Sequence, residues 1–126
     1  MAASFGLTDV FSRTYTAGEA LAAFDAVTLT ASGTVIRVDS NTETVLGFAN
    51  RACASGEEVA VRSVSAPSNN ATSQSTVAVG ALLFPSSTDG QLSTTGTPGT
   101  HAVVGIALTA ASGGAETIVI VPVASA

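Results

Sequence analysis

Few side chains in this sequence could do chemistry, and their spacing limits what that chemistry could be. His101 is the only histidine and Cys53 the only cysteine. A transition-metal site needs several His, Cys or carboxylate ligands converging on one point, so no metal is expected. Ser-His-Asp catalysis would require His101 as its base, yet no G-x-S-x-G elbow accompanies it. We expect His101 at a solvated loop edge. Glu58 and Glu116 each follow a glycine-containing turn and open an apolar strand. Two carboxylates across a cleft could hydrolyse a glycoside, but a sugar cleft also wants aromatic platforms, and the chain has no tryptophan and one tyrosine. These carboxylates are expected to accept hydrogen bonds from their own turns. With no lysine, no phosphate-binding P-loop can be completed. Glu57-Glu58 lacks the surroundings of a calcium loop. No catalytic residue and no cofactor are expected, and the chain reads as a non-enzyme.

The elements that carry these residues repeat. "VLGFANRACASGEEVAV" (45–61) and "VVGIALTAASGGAETIVI" (103–120) match at Gly47 with Gly105, Ala49 with Ala107, Ala52 with Ala110, Gly56 with Gly114, and Glu58 with Glu116. Phe48 pairs with Ile106, Val59 with Ile118 and Val61 with Ile120. Cys53 falls where the second copy has Ala111, which marks a small packing site rather than a reactive thiol. Upstream, "AFDAVTL" (23–29) resembles "AVGALLF" (78–84), and Ser32-Gly33 falls where Asp89-Gly90 falls. Short β-favouring runs separated by Gly, Pro, Ser and Asn clusters predict an all-β fold. The expected architecture is a small barrel or sandwich built from two tandem pseudo-repeats with an extended N-terminal arm. Within a single domain, 1–126, the arm is 1–17, the first β repeat 19–64, a linker 65–73 and the second β repeat 74–123. "GEALAAFDA" (18–26) is alanine-rich. Its counterpart is poor helix material, so a short turn plus strand is expected there, a single helical turn being the alternative.

Composition excludes several partners. The net charge is −5 and the only cations are Arg13, Arg37, Arg51 and Arg62. Nucleic-acid binding needs clustered cations that displace counterions, so no direct nucleic-acid contact is expected. An anionic membrane surface is excluded on the same ground. No stretch approaches the ~20 apolar residues of a membrane-spanning helix. The N-terminus lacks the basic and apolar regions of a secretory signal. Synthesis in a reducing cytoplasm is expected. Charged residues make up 10% of the chain, against about 25% in an ordinary soluble domain, which implies that much of the surface is covered by something else.

The copies differ in ways that point to what covers them. Arg62 is replaced by Val121 and Asn50 by Leu108, so the last strand of the second copy is apolar on both faces. A strand buried on both faces reads this way. We expect Leu108, Ile118, Val119, Val121 and Val123 to form an oligomer interface, the alternative cover being the chain's own N-terminal arm. That arm lies outside the repeat and carries Phe5, Leu7, Val10, Phe11 and Tyr15. It is expected to reach a neighbouring protein.

The twofold segments with Gly47, Ala49, Gly56 and Glu58, and Gly105, Ala107, Gly114 and Glu116, together with "AGEALAAFDAVTL" (17–29), resemble the capsid decoration (cement, head-stabilising) proteins of tailed bacteriophages. The likeness spans residues 17–123. It implies a non-enzymatic structural protein, usually a homotrimer, on the outer capsid surface of the virion. There it would bind the major capsid protein and stabilise the capsid lattice. The rival readings are an adhesive or carbohydrate-binding β domain on a virion or cell surface, and a small hydrolase using Glu58 and Glu116 or His101.

Overall fold

Short β-favouring runs become ten strands in the computed structural model, which describes residues 10–98 and 100–123. In chain order they are β1 (Ser12–Thr16), β2 (Ala26–Leu29), β3 (Val35–Arg37), β4 (Gly47–Ala49), β5 (Glu58–Ser63), β6 (Asn69–Thr72), β7 (Leu82–Pro85), β8 (Leu92–Ser93), β9 (Gly105–Ala107) and β10 (Thr117–Val121). They form two five-stranded sheets, ordered β1-β5-β4-β2-β3 and β6-β10-β9-β7-β8. The order is the same in both: first, fifth, fourth, second, third. Each sheet curls until the end of its first strand meets its third. Ala17 bridges Val35 in one, and Ser73 bridges Leu92 in the other. The Gly18 and Gln74 amides seal these seams by donating to the carbonyls of Val35 and Leu92, each at 2.8 Å. The fold is all-β, two small incomplete barrels in tandem. No helix occurs among the described residues. The alanine-rich stretch 18–26 is instead a bridge from Leu21 to Cys53 followed by a turn through left-handed Phe24 (φ 68°).

Two boundaries differ from the sequence reading. Residues 12–16 are not arm: the whole of β1 pairs with β5, from Ser12 opposite Arg62 to Thr16 opposite Glu58. Residues 65–73 are not merely a linker, because they contain β6, which pairs with β10 from Thr72 opposite Thr117 to Asn69 opposite Ile120. The reason is the same in both places. A long strand leaves a row of amides and carbonyls on its outer edge that need partners. "SRTYT" and "NNAT" supply them from the backbone, so their side chains carry no apolar pattern to announce a strand.

The strand registers also correct the sequence match by one residue near the last turn. Glu116 corresponds to Glu57, not Glu58: the Ala17 amide donates to the Glu57 carbonyl and the Ser73 amide to that of Glu116, both at 2.8 Å. Gly56 then corresponds to Ala115, and both are left-handed (φ 88° and 60°). Gly47 and Gly105 do correspond, and their reason is steric. A Cβ on Gly47 would strike the Arg62 carbonyl, and one on Gly105 would come within 2.5 Å of the Val121 carbonyl.

The interiors are equivalent, but their closures are not. The first barrel encloses Ala17, Leu21, Val27, Val35, Ala49, Cys53, Val59 and Val61. The second encloses the matching Val77, Leu83, Leu92, Ala107, Ala111, Ile118 and Ile120, and its core continues into Ala26, Val38, Val45 and Phe48 of the first. Side chains alternate across a strand. Val27 and Ala49 therefore face the first barrel's interior, while Ala26 and Phe48 on the same strands face outward and close the second barrel. Burying a Phe and its neighbours this way is worth about 2–3 kcal/mol per large side chain.

A polar clamp fixes the two barrels together. The Ala26 amide donates to the Gly90 carbonyl and the Gly90 amide to the Val38 carbonyl, both at 2.8 Å. Arg37 reaches Asp89 at 3.4 Å and Glu19 at 3.5 Å. Gly90 lies so close over Asp25 that a Cβ would sit 2.5 Å from its Oδ1. Asp25 is buried. Burial raises its pKa above the ordinary 3.8, against the lowering effects of the Ala22 amide, which donates to Oδ2 at 2.8 Å, and of Arg37. In the window just above 3.8 the folded chain holds a proton that the unfolded chain has released. Stability therefore falls as pH rises through that window and stays lower above it. Urea midpoints measured from pH 4 to pH 7 should show this decline in the wild type. Asp25→Asn, which can still accept from Ala22, should flatten it.

Candidate functional site

His101, Cys53, Glu58 and Glu116, the side chains singled out in the sequence, each sit in a local setting of their own. His101 accepts the Thr97 amide at its Nδ1 (2.8 Å) and lies edge-on to Phe84, with ring centroids 6.4 Å apart. Glu43, which precedes Gly47 as His101 precedes Gly105, accepts the Asp39 amide at 2.6 Å. Each holds a loop by binding the amide four residues earlier. Glu57 accepts the Ala54 amide (2.7 Å), and Glu116 accepts both the amide and the hydroxyl of Ser112 (3.2 and 2.8 Å). The turn-holding role expected of Glu58 thus belongs to Glu57, and Glu58 projects into solvent. Cys53 is buried and bridges Leu21 as Ala111 bridges Val77, which makes it a packing residue. Among the described residues no group of three or more His, Cys, Asp or Glu could hold a metal ion.

What the surface does offer is apolar. On the second barrel, β10, β9 and β7 turn one row of side chains outward. Val121 lies opposite Ile106, and Ile106 opposite Leu82. Leu108 continues the row, its amide donating to the Val119 carbonyl at 2.7 Å. Leu82 and Leu108 are 37% and 50% exposed, and Ile106, Val119 and Val121 are half-buried. Val123 is also exposed. Of the five residues expected at an interface, Leu108, Val119, Val121 and Val123 have surface to give. Ile118 has none, because alternation turns it into its own barrel, where it is fully buried. The strand is apolar on both faces, but one face serves the chain's own core. Leu82 and Ile106 were not foreseen. Their signal was positional: they replace the buried Ala26 and Phe48 of the first copy.

A second apolar surface lies on the first barrel. Val10, Phe11, Tyr15, Leu46 and Val61 line a groove of about 340 Å³, edged by Arg13, Ser63 and Ser65. Tyr15 and Leu46 pack on the first core and leave the rest of their surface open. Phe11 is tied down at its carbonyl, which accepts the Ser63 amide at 2.7 Å, and the Arg62 guanidinium stands 5.7 Å over its ring. Val10 is 71% exposed. Of the arm residues singled out in the sequence, Phe5 and Leu7 lie outside the described residues.

Comparison with known proteins gives two findings. A family model described as phage cement protein matches residues 31–122. Among solved structures the chain is similar to the head fiber gp8.5 N base in bacteriophage phi29, with 20% sequence identity and a TM-score of 0.71, over 89% of this chain and 92% of that one. No curated protein matches the chain.

Phe48 and Ile106 hold one topological position with opposite surroundings. Phe48→Ala should destabilise the isolated subunit by about 3–5 kcal/mol, the usual cost of emptying a buried aromatic site. Ile106→Ala, on the open face, should cost under about 1.5 kcal/mol. Denaturation of both variants under conditions where the chain is monomeric measures the difference.

Proposed function

The chain belongs to the phage cement protein family and is a structural, capsid-associated protein of a bacteriophage; we propose on that premise that it binds the outer surface of the head as a homotrimer and stabilises the capsid lattice. The observation that carries this reading is the outward apolar row Leu82, Ile106, Leu108, Val119 and Val121 on a chain whose His101 and Glu116 are engaged in holding turns. Such a row is costly to leave in water and marks a protein–protein contact. Val119, Val121, Leu108 and Val123 contribute to the oligomer interface. Phe5 and Leu7, ahead of the first strand, contribute contacts to the major capsid protein, while Val10, Phe11 and Tyr15 line the groove on the first barrel and act from there.

The mechanism needs no chemistry. A protein that binds the assembled lattice and not its dissociated subunits shifts the equilibrium toward the lattice by mass action. Joining several weak capsid contacts in one oligomer multiplies their effect, by about 10²–10⁴ when geometry lets all engage together. Low charge suits this task, because buried unpaired charge would oppose both contacts.

The test is co-sedimentation with heads that lack the protein. The wild type should bind saturably. A chain lacking residues 2–9 keeps β1 and should remain a folded oligomer, but bind heads at least about 10-fold more weakly, a loss of about 1.4 kcal/mol. Val121→Arg should dissociate the oligomer and lose the multivalent part of the affinity, with its circular dichroism unchanged. Undiminished head binding by both variants would rule the reading out.

A further inference from the structure

We infer that copies of this chain join head to tail: the apolar outer row of the second barrel of one copy seats in the open side of the first barrel of the next. This deepens the oligomeric reading above and rests on it.

The chain contains its own template for the contact. Within one subunit, the outer face of the first barrel, with Ala26 and Phe48, closes the open side of the second and shares one buried cluster with its Ala71, Val104 and Ile120. Strand registers carry each of these residues to a partner in the other barrel. Ala26 corresponds to Leu82 and Phe48 to Ile106, since they stand opposite each other in β2–β4 and in β7–β9. Ala71 corresponds to Tyr15, opposite Ile118 and Val59 respectively, and Ile120 corresponds to Val61. Val104 corresponds to Leu46, for the Val104 amide donates to the Leu83 carbonyl as the Leu46 amide donates to that of Val27.

The two surfaces that the internal stack does not cover are therefore the two halves of the same joint. Leu82, exposed, and Ile106, half-buried, are the outward counterparts of the residues that close a barrel. Tyr15, Leu46 and Val61 line the 340 Å³ groove that is the counterpart of the side being closed. The clamp at the joint is weaker between copies. Ser32 and Thr94 stand where Asp89 and Arg37 make their ion pair within the chain. The contact between subunits is thus the drier and less polar version of the one inside each subunit. A face that fits a different face is heterologous, and it propagates from copy to copy until a ring closes.

Two single charges separate this arrangement from a face-to-face pairing. Ile106→Glu spoils the outer row and leaves the groove intact, while Leu46→Glu does the reverse. Sedimentation velocity at about 20 μM, in the micromolar range where such contacts are read, should find the wild type oligomeric. Each variant alone should be a folded monomer by circular dichroism, its self-association weakened at least about 100-fold by a buried unpaired charge. An equimolar mixture should give a one-to-one heterodimer, because one intact row meets one intact groove. Leu82→Glu and Val10→Glu, at more exposed positions, should repeat the pattern if either first variant fails to fold. Assembly of Leu46→Glu and Val10→Glu like the wild type, or a mixture that stays monomeric, would overturn the head-to-tail joint while leaving an oligomer standing. A monomeric wild type would overturn the oligomeric reading itself.

Discussion

Phe48 holds the molecule together from outside the barrel to which it belongs. It sits on a strand of the first sheet, 2% exposed, with its ring in the core of the second. Neither sheet is large enough to bury both its faces alone, and an incomplete five-stranded barrel has an open side that must be covered. The chain solves this for the second barrel by stacking the first upon it. The polar clamp at Gly90, the ion pair of Arg37 with Asp89 and the buried carboxyl of Asp25 all lie at that joint and keep it in register.

The same solution creates the surface on which the proposed function rests. Stacking two equivalent units in the same sense leaves one open side and one outer face that the stack itself does not cover. Their sequences have diverged accordingly. Where the first copy has Asn50 and Arg62, the second has Leu108 and Val121. Glu43, Glu57, Glu116 and His101 are spent on turns, each accepting a nearby amide. The fold thus directs its polar side chains to its own loops and its surplus apolar side chains outward, the allocation expected of a protein that works by being bound.

How much of this was legible in the sequence depended on whether side chains or backbone carried the information. The duplication was legible because Gly47 and Gly105 are each forced by a carbonyl of the neighbouring strand, and because Arg62 and Val121 stand at equivalent outward positions. The match slipped at the last turn because Glu57 and Glu58 are adjacent identical residues. Gly114 also offered itself for Gly56, although the left-handed position is held by Ala115. Strands β1 and β6 were invisible because they contribute backbone hydrogen bonds, to which "SRTYT" and "NNAT" are as suited as any other string. Ile118 reads as surface because an apolar strand does not say which of its faces the chain itself covers. Leu82 and Ile106 could be found only once Ala26 and Phe48 were seen to close the other barrel.

Calorimetry of phage heads tests the central claim most directly. Heads lacking the protein, scanned alone and after saturation with it, should differ in the temperature at which the shell disrupts. The predicted result is an upward shift that grows with free protein concentration beyond saturation, as linkage to a ligand of the assembled lattice requires. Bound protein with an unchanged disruption temperature would contradict it.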